Sequence, residues 1–139
     1  MKPIALALLC ALLFLPALQP TAQEEPLFQI DLTCRCATPV ESFGYAWGLD
    51  GETLSSGGMC RADGDPILPG ETFSMPFLPG DFPEGADLDG FFIELWLAGE
   101  DDTPLYCAPR LTFTPSSGEV YSLCVTGIAP GEARIETLS

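Results

Sequence analysis

Turn signals recur every eight to twelve residues along this chain, and that spacing leaves no room for a long helix. They include Asp50-Gly51, Ser55-Ser-Gly-Gly58, Asp63-Gly64, Leu68-Pro69-Gly70, Leu78-Pro79-Gly80 and Pro115-Ser-Ser-Gly118. Between them lie short runs that alternate in polarity. This pattern predicts an all-β, antiparallel β-sandwich of about seven or eight short strands.

The expected strands follow from that alternation. Leu27 to Ala37 turns Phe28, Ile30, Leu32, Cys34 and Cys36 to one face and Gln29, Asp31, Thr33 and Arg35 to the other. Ser42 to Leu49 sets Phe43, Tyr45, Trp47 and Leu49 against the small face Gly44, Ala46, Gly48. Thr72 to Phe77 aims Phe73, Met75 and Phe77 together, and Pro76 assigns it to a sheet edge. Phe91 to Ala98 is apolar on both faces except at Glu94, as a central strand requires. Leu105 to Ala108 and Arg110 to Thr114 read as one strand kinked at Pro109, in a hairpin with Val120 to Gly127. A short strand is expected near Met59 to Ala62, and a last strand or helical turn over Glu132 to Leu138.

The first 22 residues have the make-up of a secretory signal peptide. Lys2 is the positive n-region, Ile4 to Leu18 the apolar run, and Ala22 the expected cleavage point. The run falls short of the roughly 20 residues that span a bilayer, and Cys10 sits inside it. A domain of residues 23–139 is then expected in the periplasm or outside the cell. No later segment is long and apolar enough to span a membrane. The short leader and the lack of any asparagine, hence of any N-glycosylation sequon, point to a bacterial source.

Losing Lys2 takes the net charge from −15 to −16. Twenty carboxylates then face four arginines, with no lysine and no histidine. Such a surface repels phosphate backbones and anionic lipid, so neither nucleic acid nor a membrane is an expected partner; a protein or small ligand is.

Five cysteines follow the leader: Cys34, Cys36, Cys60, Cys107 and Cys124. In an oxidising compartment all five are disulfide candidates, and two bridges with one leftover thiol can be arranged in fifteen ways. Cys34 and Cys36 lie two apart on one strand face, roughly 6.6 Å from each other. A disulfide needs Cβ atoms about 3.8 Å apart, so each is expected to look to another strand.

The segment TCRCATPVESFGYAWGL resembles the part of an immunoglobulin domain where a cysteine strand precedes a buried tryptophan, here Cys34 or Cys36 and then Trp47. The likeness covers about 25 residues plus Cys124 as the distant partner. Tyr121 stands three residues before Cys124 where that family has a tyrosine two before, and the cysteine separation is longer. The resemblance implies an immunoglobulin-like, disulfide-braced sandwich. One bridge is expected from the Cys34/Cys36 pair to Cys124, and a second involving Cys107.

No histidine is present to act as a general base near neutral pH, and no lysine after the leader to form a Schiff base. An enzyme is therefore not expected, and no cofactor or catalytic residue is assigned. The function expected is structural or partner-binding. The alternative is soft-metal binding, with Cys34, Cys36, Cys60, Met59 and Met75 as ligands suited to Cu(I). Asp87-Leu-Asp89-Gly90 has part of a calcium-loop pattern, but Gly85 and Trp96 stand where that pattern wants acids. It reads as a solvated turn, as do Asp63-Gly-Asp65 and Glu100-Asp-Asp102.

Overall fold

The structure is a computed structural model, described here for residues 23–37, 39–98, 104–127 and 134–137, without the side chains of residues 104–106, 108 and 109. The expected leader lies outside the described residues. The elements are β1 (Phe28–Cys36), β2 (Ser42–Leu49), β3 (Glu52–Met59), β4 (Thr72–Phe77), a 3-10 turn (Pro79–Asp81), β5 (Phe91–Ala98), β6 (Pro104–Thr112), β7 (Val120–Gly127) and β8 (Arg134–Thr137). The strands run in the order β3-β2-β5-β6-β8-β7-β1-β4. This order folds into two four-strand layers over one apolar core, β3-β2-β5-β6 facing β8-β7-β1-β4. Among the described residues, Ala108 opposite Arg134 is the one pairing that joins β6 to β8 and hence layer to layer.

The all-β architecture is as the sequence predicts, and β1 follows the expected alternation closely. β1 buries Phe28, Ile30, Leu32, Cys34 and Cys36 and leaves the residues between them partly or fully exposed. β5 is flanked by β2 and β6, as a run apolar on both faces requires. β4 is an edge strand, so Pro76 removes no ladder hydrogen bond on its outer side. The small face of β2 receives the outer aromatics of β5: a Cβ added at Gly44 would stand 1.9 Å from the Trp96 indole.

Three expectations need correction. The Ser55-Ser-Gly-Gly58 stretch is not a turn but the middle of β3, paired with β2 from Phe43↔Met59 to Leu49↔Glu52. Asp50 and Gly51 alone make the reversal. Both have positive φ, 51° and 83°, which is the two-residue hairpin turn that Asp-Gly favours. The expected hairpin between the 110–114 stretch and β7 does not form, because β8 lies between β6 and β7. The sheets are also not purely antiparallel: β1 pairs with β7 in parallel, Gln29↔Val120 to Cys36↔Gly127.

The core is divided along β1. Around its first residues an aromatic group interlocks. Phe28 stacks on Phe77 with centroids 4.6 Å apart, and Trp47 meets Phe77 edge-on at 5.2 Å and Phe82 at 5.1 Å. Phe91 closes the group at 5.1 Å from Phe28. Offset and edge-to-face pairs of this kind add about 0.5–1.5 kcal/mol beyond the area they bury. The last residues of β1 contribute thiols to this core instead, Cys34 and Cys36, and Cys107 joins them from the facing layer.

Candidate functional site

Cys34 and Cys36 project inward because strand alternation sends both to the face of Phe28, Ile30 and Leu32. Their backbone is fixed on both sides. Cys34 N–H donates to the Glu71 carbonyl at 2.9 Å, and Cys34 in turn accepts from Gly70 N–H at 2.5 Å. On the other side the parallel ladder sets Cys34 beside Val125 and Cys36 beside Gly127. From the facing layer, β6 brings Cys107, placed beside Leu95 of β5. Cys107 is buried in the same core.

The Cys36 thiol hydrogen-bonds to Cys34 Sγ and, with the Cys36 backbone N–H, pulls the Cys34 pKa down to about 7 against the opposing effects of burial and Glu71. Cys36 holds its proton correspondingly hard, because it is the donor to Cys34 and because it is buried. It also lies 3.8 Å from the Val125 carbonyl oxygen, which its thiol can reach as a weak donor. Burial, and after it the charge of Cys34, pushes the Cys107 thiol up to about 12. At neutral pH the cluster is thus one thiol that ionises readily beside two that do not.

Cys124 is placed differently. It is buried, but it pairs with Thr33 and Glu136, and so lies on the outer face of the layer while Leu123 and Val125 take the inner one. Burial raises its pKa. In this register a bridge from Cys34 or Cys36 to Cys124 would have to cross the sheet. Cys107 is the cysteine that shares their side. All five cysteines are free thiols in the structure.

The other soft ligands separate from the thiols. Met59 and Met75 line a 350 Å³ cleft between the edge strands β3 and β4, together with Tyr45, Trp47 and Phe77. Cys60 is exposed just beyond β3. Among the described residues, no group of three or more histidine, cysteine, aspartate or glutamate side chains is arranged to hold a metal.

The acidic turns described here are closed by their own hydrogen bonds. Asp87 Oδ1 accepts the Asp89 N–H at 3.0 Å. Asp63 binds Arg61 through both oxygens, at 3.0 and 2.7 Å, and accepts the Asp65 N–H at 3.1 Å. The Arg61 hydrogen bonds hold the Asp63 carboxyl down to about 2. Arg61 also reaches Glu71, whose second oxygen accepts the Leu68 N–H at 2.9 Å, so this arginine staples residues 61–71 together. The Glu100-Asp-Asp102 turn lies outside the described residues. No charged residue and no polar residue other than cysteine is buried among the described residues.

Two features escape a reading of the sequence. One is the approach of Cys107 to the Cys34/Cys36 pair; the immunoglobulin resemblance points to Cys124 instead. The other is a 530 Å³ groove where β8 ends, lined by Leu111, Phe113, Val120, Tyr121, Leu123 and Thr137 among others. A four-residue strand gives no sign of it in sequence.

No protein-family model and no curated protein matches this chain. Among solved structures it is similar to an NMR structure of a protein from Eubacterium rectale, with 8% identity, TM-score 0.44, and coverage of 86% of this chain and 92% of that one. It is also similar to the membrane-binding domain of pneumolysin, with 10% identity, TM-score 0.40, and coverage of 80% and 95%. A third similar structure is intermedilysin with human CD59, with 11% identity and TM-score 0.40; the match covers 79% of this chain and 23% of that one.

Proposed function

We propose that this chain is an exported, acidic, immunoglobulin-like module that acts by binding a partner rather than by catalysis, with its sandwich braced across the thiol cluster. The observation that carries this reading is the distribution of polar groups. Catalytic acids and bases are typically tuned by burial in a cleft, whereas every described carboxylate and arginine here is at least partly exposed. The charged groups described here are all within reach of a partner at the surface.

Strand order supports the immunoglobulin-like reading. If β1, β2, β3, β4, β5 and β6 are compared with the immunoglobulin strands B, C, C′, E, F and G, the neighbours C′-C-F-G and B-E all recur. Trp47 then stands on the C strand, as the resemblance expects. Two departures matter. β5 carries no cysteine, and the place beside B is taken by β7, running parallel to it. The bracing proposed is therefore from the Cys34/Cys36 pair to Cys107. Forming it removes two electrons and two protons from two thiols; an external disulfide accepts them and becomes two thiols.

The test is to produce the full chain with its leader in a bacterium and to weigh the periplasmic fraction intact, unreduced and alkylated. A start at Gln23 with at least two cysteines protected from alkylation supports the reading. Retention in the cytoplasm with residues 1–22 attached overturns the export, and five alkylated cysteines overturn the bracing.

A further inference from the structure

Each layer ends on one side of the sandwich in an edge strand, β3 in one and β4 in the other, and the 350 Å³ cleft opens between them. Strand alternation decides what points into it. On β2, Phe43, Tyr45 and Trp47 share a face; on β4, Phe73, Met75 and Phe77 do. The outer members of these triplets meet across the layers, Phe43 with Phe73 at 5.9 Å between ring centroids and Trp47 with Phe77 at 5.2 Å. The middle members, Tyr45 and Met75, are thereby brought opposite each other, and both line the cleft. On β3, Gly57 stands beside Tyr45 and Met59 beside Phe43. The Tyr45 ring lies across Gly57, where an added Cβ would stand 2.7 Å from its hydroxyl oxygen. Met59 is then the diagonal neighbour of Tyr45, within reach of a long side chain, and it lines the same cleft. Met75 is 7% exposed and Met59 is partly buried.

Met1 belongs to the expected leader, so Met59 and Met75 are the only methionines of the chain that follows it. They come from different strands of different layers and border one cleft. A methionine that serves as filler closes the gap it occupies; these two border a space that admits an ion. We propose that the cleft binds a soft monovalent metal ion, Cu(I) or Ag(I), through the Met59 and Met75 sulfurs, with the Tyr45 and Trp47 rings beside it. Thioethers are soft donors that favour Cu(I). They carry no proton to lose and cannot be drawn into a disulfide, so they stay available in an oxidising compartment where thiols are bridged. Aromatic faces attract a cation as well, tryptophan most strongly. Asp81 is the one charged residue among those described in the lining, and it is an acid; its Oδ2 accepts the Leu78 N–H at 2.7 Å. The net charge, −16 once Lys2 is lost, draws cations toward the molecule. Cys34, Cys36 and Cys107 are not part of the lining, so the site is separate from the thiol cluster and independent of its bridging.

The test uses the full chain produced in a bacterium and labelled with carbon-13 at the methionine methyls. The Met59 and Met75 signals are assigned with Met59→Leu and Met75→Leu, swaps that keep side-chain volume and so should fold. Silver(I), which air does not oxidise, is titrated in as its nitrate, past the amount that free thiols take up. The expected result is that both methyl signals shift and saturate together, while magnesium(II) moves neither. In each single variant the methyl that remains should bind silver on the order of tenfold more weakly or worse, the loss typical of removing even a group that only orients a metal ligand. Methyl signals that stay in place while silver is bound would assign the metal to the thiols and overturn the site. A shift of one methyl alone, or one that keeps its affinity when the other methionine is leucine, would overturn the shared coordination. Equal shifts with magnesium(II) would overturn the preference for a soft ion.

Discussion

Strand β1 runs through two interiors that are filled in different ways. At Phe28 the facing side chains are rings, and they hold one another by shape: Phe77 stacked, Trp47 and Phe91 edge-on, Phe82 tilted. At Cys34 and Cys36 the same face of the same strand carries thiols, and Cys107 of the facing layer shares their core. Both halves exclude water almost completely. They differ in how much contact each buried side chain makes, since a large ring makes many small dispersion contacts and a thiol makes few. An interior of rings is self-supporting, whereas an interior of thiols gains most from a covalent link across it. The comparison teaches that burial alone does not say what holds a region together.

The sharpest way to break the comparison is to remove bulk from the aromatic half. Trp47→Ala should lower stability by about 3–5 kcal/mol, read as a shift of the urea midpoint, and Phe77→Ala by a similar amount. Next comes the thiol half. Cys107→Ser in the oxidised protein should cost about 2–4 kcal/mol by removing the bridge, and the difference from the parent should shrink when both are measured under reducing conditions. A third change lies outside both halves. Gly44→Ala forces a methyl against the Trp96 indole, and it should cost about 1–3 kcal/mol by thermal unfolding.

Above neutral pH the reduced protein should also respond to pH through the thiol half. Cys107 is raised from 9.0 to about 12 in the fold, so its contribution is fully present below pH 9 and is lost as pH rises toward 12. Cys36 is raised and acts in the same sense. Cys34 is lowered from 9.0 to about 7, so its contribution is present above pH 9 and fades as pH falls through about 7. The urea midpoint of the reduced protein should therefore fall above pH 9, while that of the oxidised protein, in which the bridged thiols cannot ionise, should fall less. The smallest effect is expected at the surface: Glu94→Gln removes a half-exposed ion pair with Arg110 and should change stability by about 0–1 kcal/mol, diminishing with salt.

Much of the fold is legible in the sequence because strand alternation is a local signal. β1, β2, β4, β5 and β7 each show their buried face in their own residues. β3 does not. Its residues ETLSSGGM are mostly exposed, so no apolar face marks it; only the Asp50-Gly51 turn before it demands a returning strand. The thiol cluster was half legible. The inward direction of Cys34 and Cys36 follows from alternation, but their meeting with Cys107 depends on which strands become neighbours. That is fixed by β8 entering between β6 and β7 and by the parallel pairing of β7 with β1, both non-local.

The central claim is that the thiol half of β1 is tied to the facing layer. A peptide map of the exported protein, digested without reduction, tests it most directly. The account predicts a linked species joining the segment of Cys34 and Cys36 to that of Cys107, with Cys60 recovered as a free thiol. A linkage of that segment to Cys124, or recovery of Cys34, Cys36 and Cys107 all unlinked, would contradict it.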